Sequence, residues 1–407
     1  MTKIHAFSAL RPAAGQAAAV ASPPYDVLST AEARAICDRF PDSFLHVVRP
    51  EVDLPADADS HSSVAYAQAK TSLDRLRSQG ALVQESTDAV YVYRLVWQGQ
   101  AQTGLVSLAS VADYRANIVR KHEYTRPDKE EDRADHIETL GAQCGPVFLI
   151  CPATEAFNAW LEKHAAQTPL HDFEAEDQVR HTIWSVTNPA DIQEVVTIFD
   201  NMEATYVADG HHRSAAASVV HARRGDPENA LSDRFLTVTF PEDQVRILPY
   251  NRAVKDLNGR TPAEFLNALE GIFEINTLQG EPGPTNEKQF DFYIDGKWHR
   301  ASALLEPAPE DPVGSLDVAL LQDRVLSPLL GIEDPRRDTR ISFIGGIRGT
   351  QELEKLVDSG DYAVAMALFA TPAAALLNVA DSGNVMPPKS TWFEPKLRSG
   401  LFVHLID

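Results

Sequence analysis

The stretch Ala204-Thr205-Tyr206-Val207-Ala208-Asp209-Gly210-His211-His212-Arg213-Ser214 constrains the fold more than any other part of the chain. It reads as a short β-branched strand, one sharp turn at Gly210, and a helix that ends at Gly225. The turn packs an acid, a glycine, two imidazoles and a guanidinium together, which is too much polar chemistry for a plain strand-to-helix join. A helix N-terminus leaves backbone N–H groups unpaired and carries about half a positive charge. Gly210 lets an anion approach the backbone, and His212 and Arg213 can add charge-assisted donors. These features point to a phosphate site. Asp209 would repel phosphate, so its presence makes sense as a cation ligand or proton acceptor.

Taken singly, Asp209 reads as an N-cap and Arg213 as a surface ion pair; the five together favour the site. Zinc fits this turn poorly, because adjacent helical histidines point about 100° apart and His211 and His212 cannot easily share one ion. His212 and His221 are also badly spaced for a common metal on a helix.

The chain has 407 residues, of which 44% are hydrophobic and 23% charged, so it can bury a sizeable core in two or three domains. A net charge of -21 argues against a main role in gripping nucleic acid, although a local basic pocket can sit inside an acidic shell. The cysteines Cys37, Cys144 and Cys151 show no CxxC spacing and read as buried free thiols, with a reducing cytosol as the expected compartment. The N-terminal residues lack the apolar core of a signal peptide. The uncharged run from Tyr362 to Ala380 is interrupted by Pro372. It reads as a buried strand Ala363 to Ala370 and a helix Ala373 to Ala380, with Thr371 as N-cap and Pro372 at the first helical position, rather than as a membrane span.

Helical patterns fall at Thr30 to Arg39, Ser62 to Gln79, Thr154 to Ala166, Asp191 to Asn201, His211 to Arg224, Pro262 to Ile272, Leu316 to Leu330 and Thr350 to Ser359. Strand patterns fall at Ala89 to Trp97, Thr103 to Ala112, Pro146 to Cys151, Thr182 to Val186, Thr205 to Ala208, Phe235 to Phe240 and Gln289 to Ile294. Gln98-Gly99-Gln100 and Asp295-Gly296-Lys297 read as hairpin turns. Gly280 to Asn286 and Pro307 to Gly314 read as loops, and Gly345 to Gly349 as a turn. Hairpins mixed with a few strand-helix-strand units predict an α+β fold.

Three further polar clusters stand out. Ser22-Pro23-Pro24-Tyr25-Asp26 reads as a rigid, extended entry leading into a strand-like Val27-Leu28. Arg120 to Arg133 is dense in both signs. Its plain reading is a solvated loop running into a helix; its functional reading brings Arg120, Lys121 and Arg126 to phosphates and Glu123 to a proton or metal. Met386-Pro387-Pro388-Lys389-Ser390-Thr391-Trp392-Phe393 pairs a lysine with hydroxyls but lacks Walker glycines, and its plain reading is a proline-braced loop seating Trp392 and Phe393. No Gly-x-Ser-x-Gly elbow, Rossmann fingerprint or His-Glu-x-x-His motif is present.

In their order, these clusters resemble domain-of-unknown-function family 1015. The pieces that carry the resemblance are Ser22 to Val27, His122-Glu123 with Glu131-Asp132-Arg133, Ala208 to Arg213, Leu316-Asp317-Val318 with Leu329 to Ile332, and Met386 to Thr391. The Asp-Gly-His-His-Arg turn also resembles the nucleotide-phosphate motif of the ParB/sulfiredoxin-like fold, which includes partition proteins, sulfiredoxins and kinases of free serine. The resemblance implies a mixed sheet with surrounding helices and a late inserted subdomain. It implies one family-wide unit, divided as 1–150, a nucleotide-phosphate core 151–255, an insertion 256–315 and a C-terminal part 316–407 completing the site. It implies ATP or ADP at the turn with Mg2+, and phosphorylation of a small hydroxyl-bearing metabolite, free L-serine first.

On that reading Gly210, His211, His212, Arg213, Ser214 and Lys389 bind nucleotide phosphates. Asp209 is nearest the metal, and Asp209, Glu123 and Asp26 are the candidate catalytic carboxylates. Tyr25, Arg126, Ser390 and Thr391 are the candidate substrate contacts. No cysteine stands in the turn, which argues against sulfinic acid reduction, and the acidic balance argues against a DNA-binding partition protein. The expected partners are nucleotide and small-molecule substrate, with neither nucleic acid nor membrane, and the oligomeric state is left open. Two other classes stay in view: a nucleotide-binding regulator without turnover, and a metal-dependent phosphatase whose ligands would be drawn from His122, Glu123, Asp209 and His211.

Overall fold

Serine, threonine and asparagine caps delimit many of the helices. In a computed structural model describing residues 1–304 and 311–407, Ser29 caps Thr30–Arg39, Ser62 caps Ser63–Ser78, Thr154 caps Glu155–Ala165, Asn188 caps Pro189–Asp200 and Thr261 caps Pro262–Leu269. Each cap side chain accepts a first-turn backbone N–H, one of the donors that the helix itself cannot pair. Ser29 and Thr261 complete reciprocal capping boxes with Glu32 and Glu264. Part of the expected loop Pro307 to Gly314 lies outside the described residues.

The chain divides into two compact units, Met1–Val245 with Pro395–Asp407, and Arg246–Glu394. The fold is α+β. The first unit is built on a nine-stranded mixed sheet. Its central strands Val90–Trp97, Gln100–Ser110, Arg234–Pro241 and Val147–Cys151 are buried over most of their length, as strands covered on both faces are. The hairpin at Gln98-Gly99 pairs Trp97 with Gln100. Thr205–Asp209 pairs antiparallel with Val147–Cys151 and parallel with Val119–Arg120, so it lies near the sheet edge. Strands on both sides of residue 150 share this sheet.

Two helices pack together behind the turn. Pro127–Leu140 starts with proline in its first turn and stops at Gly141, where φ is +63°. His211–Arg223 presents Ala216 and Val220 to Ala134, Ile137 and Ile406. Arg223 ties the pair at the surface through Glu131, Asp135 and Glu138.

The second unit carries a six-stranded antiparallel sheet in the order Phe273–Thr277, Lys297–Ala303, Gln289–Ile294, Val364–Leu368, Tyr250–Val254, Ile341–Gly345. Its turn Asp295-Gly296 pairs Ile294 with Lys297. Asp291 is fully buried there and is held by Arg300 at 2.8 Å and by the Gly283 N–H at 2.8 Å.

Three local expectations are corrected. Val27-Leu28 is a bend that follows a turn at Tyr25-Asp26, not strand-like, because Arg49 Nη1 donates to the Tyr25 and Leu28 carbonyls at 2.7 and 2.6 Å and curls the segment round its guanidinium. The single helix Leu316 to Leu330 is a short α-helix Asp317–Leu321 followed by a π turn Gln322–Leu326. Pro328 removes a donor and crowds the carbonyl four residues back, and the helix widens ahead of it. Thr371 does not cap the helix Ala373–Asp381; its hydroxyl donates to the Ser390 carbonyl at 2.8 Å, and Pro372 occupies the cap position.

Candidate functional site

The strand Thr205–Asp209 is β-branched and apolar up to its last residue, and its register against Val147–Cys151 slips between Val207 and Asp209. An irregularity of this kind re-aims the side chain that follows it. Gly210 then turns the chain at φ +98°, ψ 28° and serves as N-cap to the His211 helix with no side-chain cap bond. The first backbone donors of that helix are therefore not taken up by a capping side chain. A Cβ at Gly210 would lie 2.9 Å from Arg213 Nε, so only glycine lets the guanidinium fold back over the turn.

Asp209 is half-buried between two cations. Lys396 Nζ lies 3.2 Å from its Oδ2 and Arg213 Nη2 lies 3.5 Å from its Oδ1. Burial pushes its carboxyl up, but Lys396 and Arg213 outweigh that and hold it well below the usual carboxylate range. Arg213 also donates to the Pro146 carbonyl. Ser214 is fully buried, and its hydroxyl donates to the His211 carbonyl at 3.0 Å.

The N-terminal cluster and the charged loop meet beside the turn. A cavity of about 460 Å³ is lined by Tyr25, Asp26, Arg49, Glu51, His61, Arg126, Lys129, Asp132, Arg133 and His212, among others. His212 Nε2 accepts the Arg126 backbone N–H at 3.2 Å and so pins the start of the Pro127 helix to the turn. Burial lowers the pKa of His212. Arg126 is exposed and paired with Asp128 at 2.8 Å. The Arg133 guanidinium lies 4.4 Å from the centre of the Tyr25 ring. Asp132 takes hydrogen bonds from Tyr66 at 2.6 Å and from His61 at 2.5 Å. Burial raises its pKa, but Arg133 and these donors bring it below the ordinary value. Asp26 is exposed at the cavity wall, the one member of the trio Asp26, Glu123 and Asp209 that lines it.

Glu123 does not line that cavity; it lies 3.9 Å from His211 Nδ1, and the His211 ring is buried against His122. Arg120 and Lys121 are spent on local contacts: Arg120 with Glu203 at 2.7 Å, Lys121 with the Tyr114 carbonyl at 3.1 Å. Lys389, Ser390 and Thr391 belong to the second unit. There Lys389 Nζ lies 5.5 Å from the Tyr250 ring centre, and the Ser390 hydroxyl donates to Pro387 at 2.7 Å. Of the two aromatics that the plain reading of that loop seats in the core, Phe393 is buried and Trp392 is half-buried.

Sequence reasoning missed Lys396, His61 and Tyr66. Lys396 lies far along the chain from Asp209 in a segment with no pattern around it, so no signal marked it. His61 and Tyr66 flank the cap of a helix whose apolar face drew attention instead.

Among solved structures, the chain is similar to a free serine kinase in complex with AMP, at 14% identity and TM-score 0.33, covering 67% of this chain and 83% of that one. It is similar to a conserved hypothetical protein from Pyrococcus furiosus, at 14% identity and TM-score 0.36, covering 74% and 95%. It is also similar to C-terminally truncated SbnI from Staphylococcus aureus, at 13% identity and TM-score 0.39, covering 74% and 87%. No curated protein matches the chain. Residues 4–319 match the model of a family described as a protein of unknown function, DUF1015, and the chain belongs to that family.

Proposed function

We propose that this protein binds ATP or ADP at the Asp209–Arg213 turn and transfers a phosphoryl group to a small hydroxyl-bearing metabolite, free L-serine first. One observation carries the reading: an uncapped, glycine-opened helix N-terminus backed by Arg213 stands beside a cavity whose wall holds His212, Tyr25, Asp26 and Arg126. Phosphoryl transfer asks for donors on the phosphate oxygens, a neutralising charge, and a base beside the attacking hydroxyl. Gly210 and His211 would supply backbone donors, and Arg213 the charge.

Asp26 is the favoured base because it lines the cavity. Asp209, held strongly ionised by Lys396 and Arg213, is a poor proton acceptor at neutral pH. A single ionised carboxylate together with phosphate oxygens suits Mg2+, so Asp209 would hold the ion, which supplies charge neutralisation there. In the transfer the acceptor oxygen bonds to the terminal phosphorus, the bond to the nucleotide's bridging oxygen breaks, and the hydroxyl proton passes to Asp26.

The cavity wall carries both signs, Arg49, Arg126, Lys129 and Arg133 against Asp26, Glu51 and Asp132, which suits a zwitterionic acceptor. The choice of serine rests on the resemblance of the turn to the free-serine kinase motif. In a turnover assay Asp26→Asn is expected to abolish transfer and keep nucleotide affinity, whereas Arg213→Ala is expected to lose affinity. Tight nucleotide binding with no acceptor phosphorylated would leave a nucleotide-binding regulator.

A further inference from the structure

A second cluster adjoins the turn, and it consists of metal-ligating types. His122 follows the short strand Val119–Arg120, and His211 opens the helix after Gly210. Their rings meet edge to face with centroids 4.5 Å apart. Glu123 Oε2 lies 3.9 Å from His211 Nδ1, and one donor atom from each of the three residues lies within 4.8 Å of the other two.

Both imidazoles are deeply buried, at 3% and 6% exposure for His122 and His211. His122 Nδ1 and His211 Nε2 have no hydrogen-bond partner among the described residues. An unpaired buried polar atom costs about 1–3 kcal/mol, and two on touching rings call for a group that takes their lone pairs. The backbone of Val207 hydrogen-bonds to the His122 ring, the outer contact that orients a ligating imidazole.

We propose that His122, His211 and Glu123 form an open three-ligand site for a borderline divalent transition ion of the zinc class. Two imidazole nitrogens and one carboxylate suit zinc-like ions, whereas Mg2+ prefers an all-oxygen shell. Donors around a tetrahedral zinc lie about 3.4 Å apart, the donor atoms of this group lie within 4.8 Å of one another, and rotation of the Glu123 side chain, 50% exposed, can close the difference. Three protein ligands leave one position open to water or to an oxygen of a bound anion. His211 is the first residue after Gly210, so that position adjoins the backbone donors of the turn. Asp209 lies outside the group of three whose donor atoms converge. The site is independent of the phosphotransferase reading, because it is tested without nucleotide.

The test dialyses the metal-stripped full chain against Co2+, with no nucleotide present, and reads bound metal and visible ligand-field absorption. The expected result is one ion per chain, the intense absorption of four-coordinate Co2+, and its displacement by Zn2+. His122→Gln and His211→Gln should each weaken binding by at least about tenfold. Glu123→Gln, a change at a half-exposed side chain, should weaken it too. Circular dichroism of the metal-free variants checks that they fold. Absence of the Co2+ spectrum in the unsubstituted chain, or binding that survives both histidine substitutions, would overturn the site.

Discussion

Replacing Gly210 by alanine tests the architecture of the turn in two currencies at once. The residue sits at φ +98°, where a side chain strains the backbone by about 1–2 kcal/mol. The new Cβ would also stand 2.9 Å from Arg213 Nε and 3.0 Å from its Cζ, closer than such atoms pack. The guanidinium has to move, which loosens its contacts with Asp209 and with the Pro146 carbonyl. The expected stability loss is about 1–2 kcal/mol, a drop in Tm of roughly 2–8 °C for a unit of this size. Displacing the cation should weaken ADP binding by about tenfold or more, equivalent to about 1.4 kcal/mol. In an Arg213→Ala background nothing remains to displace, so the affinity effect of Gly210→Ala should vanish while the backbone strain persists. Thermal unfolding and titration calorimetry of the four proteins complete the cycle. If Gly210→Ala binds ADP as tightly as the unsubstituted chain, or if the two affinity losses add, the turn does not work as described.

Other outcomes follow from buried charges elsewhere. His136 and His404 are buried, and desolvation lowers each from 6.5 to about 4. A depressed histidine gives stability that is whole above pH 6.5 and is lost as pH falls towards 4, about 3 kcal/mol for each ring. Urea unfolding at pH 7 and at pH 4.5 should show the fall, and His404→Gln should flatten its share; an unchanged slope would contradict the burial argument. Arg300→Met strands the fully buried Asp291 and should cost about 3–5 kcal/mol by chemical denaturation, with Asp291→Asn in the same chain recovering part of it. Lys396→Met should cost about 1–2 kcal/mol, and the double change with Asp209→Asn should cost no more than the larger single loss. Additive losses would show that the pair does not act as one.

Helices announced themselves where a cap and an apolar period coincide. Thr30–Arg39 and Ser63–Ser78 carry both and match their expected spans to within a residue at each end. Pro127–Leu140 hid behind its charges, because its buried face is made of Asp132, Ala134 and His136 as much as of Ile137 and Leu140. A short strand such as Arg246–Leu248 has too few residues to show a period, since pairing rather than pattern makes it a strand. At the site, the turn was legible because its glycine, imidazoles and guanidinium are contiguous. The partners that set its electrostatics were not: Lys396 reaches Asp209 from the far end of the chain, and the His122–His211 contact joins residues on different elements. Long-range pairing leaves no local composition behind it.

The central claim is phosphoryl transfer at the Asp209–Arg213 turn. Its most direct test incubates the purified chain with Mg2+, ATP or ADP, and a pool of free amino acids and small alcohols, and then reads acceptor masses. The account predicts phosphoserine that disappears in Asp26→Asn and Arg213→Ala. Nucleotide returned intact with every acceptor unmodified, despite a thermal shift on adding it, would contradict the transfer.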